Sequence, residues 1–233
     1  MARIKKALWN QPTNSPIVRF GKKSIDVSSF AELDEERFVD SFVIDVCIAK
    51  FIEADEKSEI LYLPTEFYDW MNSSDQIFKE SQVAKEALKL KNVCALKQLL
   101  LPVYMPNHWG LDVVDLPNMG MFFDDGLKSI VPPTVLPLIK ELLDLLSRMY
   151  PEHPHLQSQF RKCCSSFKRF GMPSQAPADS RMIETGSCGI RVIMAAKDFL
   201  QRGSSCVGNI QWRYCDMDLH RRDLMLQILE WKN

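Results

Sequence analysis

The stretch Glu184-Thr185-Gly186-Ser187-Cys188-Gly189-Ile190-Arg191 delivers a cysteine from a small-residue turn onto the first turn of an apolar helix. Unpaired backbone N–H groups and the positive end of the helix dipole favour a thiolate there, which is the reactive form of a cysteine nucleophile. A lone cysteine in such a setting is more often a small core residue, so the chemistry depends on what else the chain supplies. Upstream, Asn107-His108-Trp109-Gly110-Leu111 opens one predicted strand and Phe122-Phe123-Asp124 closes the next. The matching ends of an antiparallel pair are neighbours in space. His108 and Asp124 can therefore supply the base and the orienting carboxylate that turn a thiol into a nucleophile.

Other clusters offer less. His153, His155, Cys163 and Cys164 are ligand types, yet adjacent cysteines and one H-x-H lack the two spaced pairs of a zinc site. Gly186-Ser187-Cys188-Gly189 has neither the lysine nor the preceding strand of a phosphate loop. Lys162, Lys168 and Arg169 read as a solvated basic face. Neither a cofactor nor a metal ion is expected.

The candidate groups need a sheet to carry His108 and Asp124 and a helix to carry Cys188. Leu99 to Tyr104, Trp109 to Leu116 and Met119 to Phe123 are short apolar runs broken by Pro106-Asn107 and Pro117-Asn118, which predicts antiparallel strands joined by tight turns. Phe38, Phe42, Val43, Val46, Cys47 and Phe51 recur at helical spacing and predict a helix from 34 to about 53. A strand at 60–63, a helical stretch through Trp70 and a solvated helix over 79–96 follow. Val135, Leu138, Ile139, Leu142, Leu145, Leu146 and Met149 share one face of a helix over 134–150, with Thr134 as its cap. The helix opened by Cys188 runs to about Gln201, and a last one spans about 218–231. Residues 1–24 read as a polar arm, ordered only where it lies on the domain formed by 25–233.

With 233 residues, 46% of them hydrophobic, the chain reads as one α+β domain that can bury a core without staples. A net charge of −1 gives no bulk electrostatic case for nucleic acid or membrane. Without an apolar run of membrane-spanning length or a secretory signal at its start, the chain is expected to be intracellular, in cytoplasm or nucleus. Its seven cysteines lack the paired spacing of a disulfide framework, so reduced thiols are expected.

Taken together, Asn107-His108-Trp109-Gly110-Leu111, Phe122-Phe123-Asp124 and Ser187-Cys188-Gly189-Ile190 resemble the ubiquitin-like-protein-specific cysteine proteases. These are the SUMO or sentrin protease family of the papain-like superfamily, whose chain order is His, Asp, Gln, Cys. Arg37 to Asp45 resembles the family's early helix start, Pro102 stands where the family has a proline before its histidine strand, and Cys215 to Leu229 resembles its closing helix. The likeness spans about residues 25–230. Phe123 to Lys128 and Asp179 to Ile183 look more like single-domain members encoded by transposable elements.

The resemblance implies a papain-like fold with a central, mostly antiparallel sheet packed between helices. It also implies a monomeric cysteine protease or isopeptidase that cleaves after the diglycine terminus of SUMO or a related ubiquitin-like modifier. Cys188 would attack the glycine carbonyl, His108 would act as base and then acid, Asp124 would hold the imidazole, and Trp109 would wall a glycine-wide channel. Asp124 directly follows two aromatics, as the family's aspartate follows its strand, whereas Asp125 restores the family's His-to-Asp count, so both stay open.

Three positions depart from the family. Phe38 stands for its gating tryptophan and Ser187 for its aspartate before the nucleophile. Met182, which cannot donate a hydrogen bond, occupies the place of its oxyanion glutamine. Gln175, in Pro173-Ser174-Gln175, resembles the family's Pro-x-Gln if a seven-residue insertion separates it from Cys188. Two further readings share these residues: an inactive module that grips a ubiquitin-like protein, and an acyltransferase that uses the same three groups.

Overall fold

Side chains that alternate between two faces of a sheet, a period of two residues, divide the interior into two cores. The computed structural model describes residues 10–34, 38–54, 59–90, 93–118, 120–127, 131–151, 168–169, 171–172, 186–213 and 216–231. In chain order the elements are β1 (Pro16–Phe20), β2 (Lys23–Asp26), α1 (Val27–Asp34), α2 (Ser41–Ala54), β3 (Ile60–Tyr62), α3 (Phe67–Met71), α4 (Gln76–Ala87), β4 (Gln98–Met105), β5 (His108–Asp115), β6 (Gly120–Asp124), α5 (Val135–Met149), β7 (Lys168–Arg169), α6 (Cys188–Arg202) and α7 (Met217–Glu230). Strands β3 to β7 form a five-stranded sheet in sequence order. The inner pairs, β4 with β5 and β5 with β6, are antiparallel, and the outer pairs are parallel.

Leu100, Leu111, Val113 and Phe122 face one core with β1, β2, α1, α2, α6 and α7. Leu99, Leu101, Val103, Val114, Leu116, Met121 and Phe123 face the other, with α3, α4 and α5. In α5 the predicted Val135, Leu138, Ile139, Leu142, Leu145 and Leu146 are buried together with Leu143, each contributing roughly 1.5–3 kcal/mol relative to exposure, whereas Met149 is only half-buried and Thr134 makes no side-chain cap bond. Asp45 is a buried polar knot between these layers. Its carboxylate accepts from the Thr65 N–H and hydroxyl, both at 2.9 Å, and from Tyr62 and Lys23.

Three expectations shift. The segment before residue 25 is no simple arm, because Pro16–Phe20 and Lys23–Asp26 pair as an antiparallel hairpin that buries Ile17, Val18 and Ile25. The helix expected from residue 34 starts at Ser41, because Asp40 Oδ1 accepts the Phe42 N–H at 2.8 Å and caps it. Phe38 consequently lies ahead of that helix. The helix expected over 79–96 runs from Gln76 to Ala87, capped by Asp75 Oδ1 on the Phe78 N–H at 3.1 Å.

Candidate active site

Strand β5 begins at His108 because a two-residue turn, Pro106-Asn107, folds β4 back on itself with Met105 opposite His108. Asn107 takes φ 59, the left-handed conformation that asparagine tolerates and that the residue after proline needs in a tight turn. On the far side, β6 pairs with β5 as far as Leu111 opposite Asp124. Beyond Asp124 the chain turns through Gly126 at φ 75, so the pleat no longer dictates where Asp125 points.

That turn decides which carboxylate meets the imidazole. His108 Nε2 lies 2.9 Å from the Asp125 carbonyl oxygen and 3.6 Å from Asp125 Oδ2. A carbonyl can only accept, so Nε2 carries the proton and the neutral ring keeps its lone pair on Nδ1. Asp124, chosen from the sequence because it ends the strand, spends its carboxylate on backbone. Oδ1 accepts the Gly126 N–H at 2.9 Å, and Oδ2 accepts the Gly171 and Met172 N–H groups at 2.7 and 2.9 Å. The carboxylate that approaches the ring is that of Asp125, whose Oδ1 also accepts the Leu127 N–H at 2.9 Å.

Cys188 is the first residue of α6, which packs against β5. The thiol, 1% exposed, lies where the N–H of Trp109, the residue after His108, donates to its sulfur. Burial pushes the thiol above its ordinary pKa. The N–H groups of Trp109, Gly189 and Cys188 itself, and the charge of Arg191 one turn along, pull it back without cancelling that effect. Burial therefore favours the neutral thiol over the thiolate that a helix start alone would favour. Arg191 is fully buried, and nothing in the hydrophobic pattern of α6 signalled a buried cation one turn beyond Cys188.

Trp109, half-buried, follows His108 on β5, and Phe38, half exposed, precedes Val39. Val39 brings the Phe38 segment against α6 so closely that a Cβ on Gly189 would stand 2.6 Å from the Val39 Cβ. Tyr104, 57% exposed and opposite Trp109 in the register, sets its ring edge-on to the indole with centroids 5.0 Å apart. No motif in the sequence marks Tyr104, which the strand register places opposite Trp109.

Gln175 and Met182 lie outside the described residues, as do His153, His155, Cys163 and Cys164. Among the described residues no group of three or more His, Cys, Asp or Glu is arranged to hold a metal ion, and no helix is long and apolar enough to cross a membrane.

No protein-family model and no curated protein sequence matches the chain. Solved structures do. The yeast Ulp1 C-terminal protease domain, in complex with Smt3, the yeast ortholog of SUMO, aligns at TM-score 0.67 and 20% identity over 99% of this chain and 93% of that one. Ulp1 with its catalytic cysteine oxidized to a sulfenic acid aligns at TM-score 0.71 and 18% identity, over 98% of this chain and 93% of that one. The catalytic domain of the Chaetomium thermophilum Ulp1-like SUMO protease gives 0.69 and 15%, over 98% and 88%. This chain has the fold of the Ulp1-type SUMO protease domains.

Proposed function

We propose that the chain is a cysteine protease that cleaves after the diglycine terminus of SUMO or a related ubiquitin-like modifier. The observation that supports this most is the seat of Cys188: a helix-start thiol that accepts the N–H of Trp109, the residue next in sequence to an imidazole whose Nε2 donates to the Asp125 carbonyl. In this reading Nδ1 of His108 takes the thiol proton as the sulfur attacks the terminal glycine carbonyl, forming a tetrahedral oxyanion. Collapse breaks the C–N bond, the imidazolium returns the proton to the leaving amine, and a thioester remains. Water, deprotonated by the same imidazole, then hydrolyses the thioester and frees the thiol.

Asp125, rather than Asp124, is the orienting carboxylate in this account. Trp109 and Phe38 wall the channel, with Tyr104 extending the wall outward. Gln175 joins the Cys188 N–H as oxyanion donor, and the loss of one such donor costs about 10²–10³ in rate.

The test is a SUMO or ubiquitin-like probe with a C-terminal electrophile. Wild type is expected to form a covalent adduct that Cys188→Ser abolishes, and Gln175→Ala is expected to slow capture while Met182→Ala does not. Reversible binding of the probe without capture would instead favour the gripping module. Turnover of acetyl-coenzyme A, with neither capture nor binding, would favour the acyltransferase.

A further inference from the structure

The peptide that leads into Cys188 is held from a distant part of the chain. Arg221, on α7 and 3% exposed, donates from Nη2 to the Gly186 carbonyl at 2.8 Å and from Nη1 to the Leu33 carbonyl at 3.3 Å. Gly186 takes φ 108, a backbone conformation that glycine adopts without strain. The Gly186 carbonyl and the Ser187 N–H share one planar peptide, so the guanidinium fixes the plane two residues before the sulfur. Leu33 belongs to the last turn of α1, where helix carbonyls lack an internal partner and a cation is favoured by the dipole. From there the chain proceeds to Phe38 and Val39, and Val39 meets Gly189 at the start of α6. One planar fork therefore binds the segment that leads to Phe38 and the segment that leads to Cys188, and the two meet again at the head of α6, where Val39 packs on Gly189.

We infer that Arg221 is a positioning residue that sets the seat of Cys188 through the Gly186–Ser187 peptide. The inference rests on the reading of Cys188 as a nucleophile, but not on the identity of the modifier. The rigid two-pronged geometry of arginine is what the site uses, and a lysine ammonium cannot reproduce both contacts in the same directions. With the peptide plane loosened, the N–H groups that converge on the sulfur lose their alignment, and a misplacement near 1 Å is enough to slow a reaction roughly ten- to a hundredfold.

The experiment measures alkylation of Cys188 by iodoacetamide across pH 6–10 in wild type, Arg221→Lys and Arg221→Met, with far-UV circular dichroism and thermal unfolding on the same samples. Folded Arg221→Lys is expected to alkylate roughly tenfold more slowly at pH 7.5, with its midpoint moved to higher pH, and Arg221→Met to go further in both. A purely structural role lowers the unfolding temperature and leaves midpoint and rate at wild-type values. That result in folded Arg221→Lys overturns the inference even if Arg221→Met fails to fold. Alkylation needs no substrate, so the two readings fail separately. A wild type that captures no diglycine probe, but whose Arg221→Lys variant still shows the alkylation defect, sinks the proposed substrate and keeps the positioning role. Equal probe capture by wild type and folded Arg221→Lys sinks the positioning role alone.

Discussion

Asp124 and Asp125 are adjacent, both buried, and engaged in different work. The first binds three backbone N–H groups and draws residues 171–172 against the end of β6. The second faces the imidazole. Their substitutions should separate accordingly. Asp125→Asn is expected to lower kcat by a hundredfold or more with modest change in unfolding, since the ring loses the charge that steadies an imidazolium. Asp124→Asn, with one acceptor oxygen in place of two, is expected to cost about 1–3 kcal/mol in denaturant unfolding while folded protein keeps most of its turnover. Steady-state kinetics beside equilibrium unfolding checks both, and the reverse pattern would return the orienting role to Asp124.

Why the sequence could not choose between them is physical. Strand periodicity ends with the strand, and the direction of the next side chain is set by a left-handed glycine whose effect no spacing encodes. His108 and Cys188 were more legible because each begins an element, and element starts are marked by Pro106-Asn107 and by the small residues ahead of α6.

Between elements, α6 approaches the segment that precedes α2 closely at Gly189. A methyl at residue 189 would overlap Val39, and neither partner has a flexible tip that could yield. Gly189→Ala is therefore expected to push the head of α6 away from Val39, destabilising the fold by about 1–3 kcal/mol and slowing probe capture. Denaturant unfolding and a capture time course measure it, and a variant as stable and as fast as wild type would contradict the packing. The early helix illustrates how local polar bonds override periodicity. Phe38 fits the apolar pattern of α2, yet the Asp40 cap starts the helix three residues later and leaves Phe38 in the lead-in. The α5 stripe, with no such competing bond, follows its pattern almost to the residue.

At the scale of the whole molecule, the sheet and its two cores could be read from apolar alternation and proline-bounded turns. The β1–β2 hairpin could not, because Pro16 to Asp26 alternates only weakly and owes its burial to α2 and α7, which come later in the chain. One residue sets itself against the fold: Asp112 on β5 is completely buried, and burial drives its carboxyl well above the carboxylate range, with the Val113 N–H opposing only in part. A folded-state pKa above the unfolded one means that its contribution is fully present below about pH 3.9 and is lost as pH rises through the folded value. Asp112→Val should remove that decline and raise stability at pH 7–8 by roughly 1–3 kcal/mol. Unfolding midpoints from pH 4 to 8 check this, and a variant whose curve parallels wild type would refute it.

The covered, protonated sulfur at the head of α6 has a consequence for survival under oxidants. Peroxide reacts with the anion of a thiol and needs a path to it, so a buried thiol whose ionisation is opposed by burial presents little to attack. In the function proposed above, such a thiol rests in a chemically quiet state and is exposed to oxidants more while a substrate draws its proton away than while it waits.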